Sequence, residues 1–267
     1  MAMSKRDWAS ALAERASDLQ TVLAFATRLP LPDTVPHAPL VRALRMLPMA
    51  GAIIGAASAL FYVLGSAIGL QSPLAAAAAL GFQAWLTRGL HEDGLADFAD
   101  GIGGGSSRER KLAIMRDSRI GTFGVLALVF VVLCKVLALG EAGAVSGQLA
   151  VATLITAGAL SRLAPILLLH RLPPSRLDGM SYEVGCPDKE TMTEATVYAV
   201  APAILIAMAV RGAGPLLAAF LASAVAYWAV ENLSRRHLGG QTGDAAGASQ
   251  QLVELAVLLA FAAIPPS

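Results

Sequence analysis

Charge is what this chain has least of. Of 267 residues only 15% are Asp, Glu, Lys or Arg, and 20 bases against 19 acids leave a net charge of +1. So small an imbalance leaves no electrostatic footprint for nucleic acid. Cysteine is nearly absent. Cys134 lies in an apolar run and Cys186 in a loop; they form no CxxC pair and offer neither a zinc site nor an assignable disulfide. A secretory signal is missing as well, because the N-terminal residues mix charges with alanines and hold no uninterrupted apolar stretch before a small-residue cleavage site. No glycine fingerprint for nucleotides follows a strand pattern, and no internal repeat stands out.

What fills the chain instead is apolar. Hydrophobic residues make up 56%, and the 25 glycines bring the apolar share to roughly two-thirds, against about 45–50% in soluble domains. Mean hydropathy is +0.62. The fold class expected is all-α, a polytopic integral membrane bundle of about seven transmembrane helices plus an N-terminal amphipathic helix. That helix covers residues 5–28, with Trp8, Leu12, Leu19, Val22 and Leu23 among charged positions. It reads equally as a cytoplasmic helix on the membrane surface or as one docked on the bundle. Pro30, Pro32, Pro36 and Pro39 then break any helix. Spans are expected at about 48–70, 73–90, 121–140, 149–170, 195–211, 213–233 and 251–264. Residues 1–47 thus form an N-terminal cytoplasmic segment and 48–267 one transmembrane catalytic domain.

The bases set the orientation. Lys5, Arg6, Arg15, Arg28, Arg42 and Arg45 precede the first span; Arg88, Arg108, Arg110, Lys111, Arg116 and Arg119 lie between the second and third. Arg171, Arg176 and Lys189 separate the fourth and fifth, and Arg235 and Arg236 follow the sixth. The alternate connections are nearly bare, so the charged loops are cytoplasmic by the positive-inside rule. Every segment able to do chemistry faces one side. That suits an enzyme drawing substrates from the cytoplasm better than a channel, which needs polar groups on both faces and inside its spans.

Four carboxylates crowd the stretch His91-Glu92-Asp93-Gly94-Leu95-Ala96-Asp97-Phe98-Ala99-Asp100-Gly101. Asp93, Asp97 and Asp100 stand at i, i+4 and i+7, within about 60° of one another on a helix. Like charges so placed repel. A hard divalent cation removes the repulsion, and oxygen-only ligands point to Mg²⁺, Mn²⁺ or Ca²⁺. The plainer reading is a solvated loop with capping acids. Glu92 faces away from the aspartates. His91 is a partner of the metal ligands or a general base.

Further on, Arg108-Glu109-Arg110-Lys111 and Arg116-Asp117-Ser118-Arg119 offer guanidinium forks to phosphate oxygens, or anchor the chain at the membrane face. Gly239-Gly240-Gln241-Thr242-Gly243-Asp244 could free backbone N–H groups around a phosphate, with Asp244 adding a metal ligand. It is no Walker loop, because the lysine is missing. Glu254 follows one helical face on from Asp244, either buried or capping. Residues 171–189 form a Pro-rich loop able to cover a site. Arg162 and Lys135 sit inside spans, where each needs an acid or a polar cavity. Acids, arginines and glycines on one membrane face together suggest metal-assisted phosphoryl chemistry.

The aspartate stretch, then Ala113-Ile114-Met115-Arg116-Asp117-Ser118-Arg119-Ile120-Gly121-Thr122-Phe123-Gly124, then Gly239 to Asp244 closely resemble the bacterial cobalamin synthase family (adenosylcobinamide-GDP ribazoletransferase, or cobalamin 5′-phosphate synthase). The likeness runs over nearly the whole chain in order, length and hydropathy. It implies a transferase of the bacterial inner membrane that needs Mg²⁺. A hydroxyl of α-ribazole or its 5′-phosphate attacks the phosphate that carries cobinamide in adenosylcobinamide-GDP, and GMP leaves. The resemblance further implies that Asp93, Asp97 and Asp100 hold metal, that His91, Asp117 and Asp244 serve catalysis, and that Arg116, Arg119, Gly240, Thr242 and Gly243 bind phosphate. Its partners are the two substrates and the lipid bilayer, with a homo-oligomer allowed and no nucleic acid. Glu92 and Phe98 depart from the family's usual residues without removing a ligand. A CDP-alcohol phosphotransferase is the nearest rival, but its Asp-Gly-x-x-Ala-Arg pattern fails here at Asp97 and its later aspartate pair is missing. A small-molecule transporter is the rival from another class.

Overall fold

The structure, a computed structural model, describes residues 5–29, 38–210 and 212–263. Helix α1 (Lys5–Ala26) leads through a short helix α2 (Leu40–Ala43) and a 3₁₀ turn (Leu44–Met46) into α3 (Leu47–Ala67), and α4 (Ser72–Leu86) returns beside it. The acidic and basic segments become α5 (Leu90–Gly104) and α6 (Arg108–Ile114). Then come α7 (Thr122–Val145), α8 (Gly147–Ser161), α9 (Leu163–Arg171), α10 (Met180–Val184), α11 (Lys189–Val210), α12 (Ala213–Leu238) and α13 (Gly243–Ala263). Among the described residues there is no strand, only an isolated bridge between Pro174 and Gln241.

Six helical runs are long and apolar enough to cross a membrane: Leu40–Ala67, Thr122–Val145, Gly147–Arg171, Lys189–Val210, Ala213–Leu238 and Gly243–Ala263. The chain is a multi-pass helical bundle. The span expected at 73–90 is the shorter α4. Its 15 residues reach about 22 Å at 1.5 Å per residue, against a hydrocarbon core of about 30 Å. It stops because Arg88 and Gly89 both turn into the left-handed region (φ 60° and 66°). The last helix is longer than the expected 251–264. It starts at Gly243, where the Thr242 hydroxyl accepts the Ala245 N–H at 3.1 Å.

Local signals place the other ends. Pro48 and Pro73 occupy the first turns of α3 and α4. The hydroxyls of Ser107 and Ser146 accept backbone N–H groups at the starts of α6 and α8. Small residues then let helices touch. A Cβ on Gly51 or Gly55 of α3 would collide with backbone carbonyls of α8, and one on Gly158 with the Gly51 carbonyl. The core between them is rich in fully buried alanine.

Of the two readings open for α1, docking is the one realised. The Asp18 carboxylate is fully buried and accepts from Arg45 Nε at 2.6 Å and Arg42 Nη2 at 3.1 Å. Arg15 reaches Glu194 of α11 at 2.7 Å, and Val22 and Ala26 are buried. The prolines at 30, 32 and 36 lie outside the described residues.

Candidate active site

Helix α5 carries the acids. Glu92 and Asp93 lie in its first turn, where negative charge favours the helix dipole. Its Gly94 rests on Gly247 and on the backbone of Asp244 in α13, where a Cβ would meet that backbone at 3.1 Å. That crossing brings Asp244, distant in sequence, beside Asp93; both line one cavity. Asp97 is half-buried on the same face. Burial, then the charges of Asp93, Asp244 and Asp100, push its carboxyl up to about 7, while the Arg176 guanidinium pulls the other way. Arg176 Nη2 stands 3.6 Å from Asp244 Oδ2, an oxygen that is buried without a hydrogen bond.

Asp100 is used differently from the other two aspartates. Its oxygens accept the N–H groups of Gly121 at 2.7 Å and Gly124 at 2.8 Å. It therefore caps α7 and locks α5 against it. Gly121 and Gly124 must be glycines, because a Cβ on either would strike this carboxylate. The three aspartates expected to act alike therefore differ in their hydrogen bonding. Asp93, Asp97 and Asp244 converge, whereas Asp100 is committed to backbone. Among the described residues, no three acids, imidazoles or thiols are grouped closely enough to form a ready-made metal cage.

The basic segment divides in the same way. Arg116 pairs with Asp178 and lines a cavity of about 920 Å³ together with Asp93, Asp97 and Asp117. Arg119 is 86% exposed and folds back on Asp117 at 2.6 Å; its guanidinium holds the Asp117 carboxyl down to about 2. Arg108 donates to the Leu238 carbonyl at 2.7 Å and to that of Ser175 at 2.5 Å. Lys111 donates to the Ile102 and Gly105 carbonyls at the end of α5. These two bases cap helix ends and staple loops.

The glycine-rich turn is largely spent on structure. Gln241 N–H donates to the Pro173 carbonyl at 2.8 Å and Ser175 N–H to the Gln241 carbonyl at 2.9 Å. Gly240 leaves no room for a Cβ against Pro173, and Thr242 caps α13. Of the three phosphate binders expected in this turn, Gly243 alone lines the cavity at Asp93 and Asp244. The same pairing draws residues 172–178 over the site and delivers Arg176, which sequence reasoning had only counted among the loop's bases. Its one signal was a base inside a loop able to cover a site.

His91 is buried and lines the same cavity as Asp93 and Asp244. Burial, and then the Arg162 cation, push its imidazole down to about 3, so it is neutral at ordinary pH and a feeble base. On the far face of α5, Glu92 lies within the field of Arg162, away from the aspartates as its helical position implies. Arg162 and Lys135 do meet an acid. Lys135 Nζ lies 2.5 Å from Glu254 Oε2 and Arg162 Nη1 3.7 Å from Oε1. Glu254 also accepts from Gln83 at 2.5 Å. Glu254 is therefore buried, and the charges inside the spans are spent on one another.

The sequence pattern of cobalamin-5-phosphate synthase matches residues 18–262. Adenosylcobinamide-GDP ribazoletransferase of Azorhizobium caulinodans is 44% identical over 91% of this chain and 94% of its own length. The proteins of that name from Allorhizobium ampelinum and Bradyrhizobium diazoefficiens are 41% and 40% identical, each over 92% of this chain and 96% and 94% of their own lengths. No solved structure matches. With the aspartate helix, the arginine segment and the glycine turn assembled on one face of the bundle, the chain belongs to the cobalamin-5-phosphate synthase family.

Proposed function

We propose that this protein joins adenosylcobinamide-GDP to ribazole or its 5′-phosphate in cobalamin assembly, releasing GMP. A ribose hydroxyl oxygen bonds to the phosphorus that carries cobinamide and gives its proton to water, the bond from that phosphorus to the GMP oxygen breaks, and GMP leaves with the electron pair. The observation that carries the reading is the convergence of Asp93, Asp97 and Asp244 beside Arg176 and Arg116, next to two cavities. The reading of an intramembrane transport path loses support, because Lys135 and Arg162 both pair with Glu254.

The donor set fits Mg²⁺. All three groups offer hard oxygens, one oxygen of Asp244 is buried without a hydrogen bond, and burial together with the neighbouring acids disfavours the bare charge on Asp97. Mg²⁺ commonly takes only one or two carboxylates and fills its shell with water and substrate phosphate, so a closed protein cage is unnecessary. Asp93, Asp97 and Asp244 would hold it, and it would supply charge neutralisation at the diphosphate. Arg116 and Arg176 bind phosphate oxygens in the fork geometry that guanidinium favours. Asp100 is a positioning residue that fixes the angle of α5. The basic loops favour a cytoplasmic orientation of this face, and the family resemblance supports the bacterial inner membrane.

Purified protein in detergent, given adenosylcobinamide-GDP, ribazole and Mg²⁺, is expected to release GMP, and a chelator to stop it. No GMP with Mg²⁺ present would refute the assignment.

A further inference from the structure

Two cavities meet at the aspartates, and they differ in size and lining. The smaller, about 220 Å³, lies between α1, the start of α3, α5, α9, α10 and α13. Its walls are mostly apolar, with Phe25, Leu44, Leu47, Leu169 and Val184; Asp93, Asp244 and Arg176 form a polar end, and His91 and Ser181 also line it. The larger, about 920 Å³, is walled by Arg88, Arg116, Asp117 and Ser118 as well as by apolar groups. Phe25, Leu90, Asp93 and Met180 belong to both. Asp93 thus stands on the partition between a narrow apolar slot and a wide polar bowl.

We propose that the slot is the subsite for the bicyclic base of ribazole, and that the bowl receives the diphosphate end of the corrinoid. The inference rests on the ribazoletransferase reading and adds to it which substrate lies on which side. The base of ribazole is a flat, uncharged benzimidazole bearing two methyl groups. A slot smaller than the usual drug-sized pocket of about 300–1,000 Å³ suits such a ring and excludes a corrin macrocycle. With the base against Leu44, Leu47 and Leu169, the attached ribose lies at the Asp93 and Asp244 end. The diphosphate approaches from the bowl, past Arg116. The nucleophile and the phosphorus then reach the aspartates from opposite sides, as an in-line displacement requires.

Leu169 tests this, because it lines the slot and not the bowl, and no step of the chemistry uses it. Turnover is compared for ribosides of unsubstituted benzimidazole, of the dimethylated base and of a benzimidazole extended by a further fused ring. Leu169→Phe should shift the kcat/KM ratio toward the unsubstituted base by about tenfold, the scale of a methyl-sized change in an apolar pocket. Leu169→Ala should shift it toward the extended base. The KM for adenosylcobinamide-GDP should stay unchanged in both. Ratios between bases do not depend on the folded fraction, so partial loss of folding does not mask the result. Unchanged ratios in both variants, or a change confined to the corrinoid KM, would overturn the subsite. Failure of the unsubstituted protein to release GMP from its two substrates would instead overturn the reaction itself.

Discussion

At the scale of single residues, three aspartates that look alike in sequence have two kinds of work. Asp100 receives two backbone N–H groups at the start of α7. Asp100→Asn keeps one acceptor oxygen and turns an NH₂ toward the other donor, so one buried N–H loses its partner at about 1–3 kcal/mol. The expected result is a lower unfolding midpoint in detergent, with Mg²⁺ dependence retained. Asp97→Asn should do the opposite, keeping the fold and losing turnover by a factor of about 100 or more, the scale of one preorganised electrostatic group. Thermal melts and GMP release measured on both variants check this. Asp97 also predicts a pH effect. Its carboxyl is raised from 3.8 to about 7, so between those values the folded state holds a proton that the unfolded chain has released. Metal-free protein should therefore lose stability as pH rises through that window and level off above it. Asp97→Asn should remove that slope; equal slopes in the two proteins would contradict a carboxyl raised by burial and the neighbouring acids. The i, i+4, i+7 spacing made the shared face of Asp93, Asp97 and Asp100 legible in sequence. The cap on α7 was not, because it depends on where Gly121 and Gly124 come to rest.

At the scale of elements, close crossings of small residues set the geometry. Gly51 and Gly158 meet between α3 and α8, and Gly94 meets Gly247 between α5 and α13. Gly158→Val should leave no correctly folded protein in detergent extracts. Gly81→Ala, on an exposed stretch of α4 with nothing within 4 Å, should be neutral or stabilising by about 0.5–1 kcal/mol. Size-exclusion profiles of the two variants compare them; a normal profile for Gly158→Val would mean the crossing is looser than it stands. Most spans were readable as apolar runs. Helix α4 was read too long because the apolar character of 73–90 continues past the left-handed turn at Arg88 and Gly89. The sequence pattern starts α13 too late because Gly243, Asp244, Gly247 and Gln250 read as a continuation of the glycine-rich turn, although Gln250, like Gln251 and Glu254 after it, is buried. Their burial depends on Lys135, Arg162, Gln83 and Ser161 arriving from α4, α7 and α8, pairings that no local pattern encodes. Likewise, Arg176 reaches the site only because the loop after α9 pairs with Gln241.

At the scale of the whole molecule, charge is segregated and the chemistry follows it. The aspartate helix, the arginine segment and the covering loop all lie on the side of the charged connections, and the positive-inside pattern was sufficient to group them. Cys186, exposed in that loop, should react with an impermeant thiol reagent from the cytoplasmic side of inverted vesicles. A cysteine at Gln148, in a protein lacking Cys186, should react only from the opposite side; labelling of both from one side would break the topology. The central claim is that the converging aspartates hold a divalent cation on the diphosphate. It is tested most directly by replacing Mg²⁺ with Mn²⁺ and recording phosphorus hyperfine coupling to the metal in the complex with adenosylcobinamide-GDP. The account predicts a coupling that disappears in the Asp93→Asn/Asp97→Asn protein and survives in Asp100→Asn. Absence of coupling in the unsubstituted protein, or its persistence in the double variant, would contradict it.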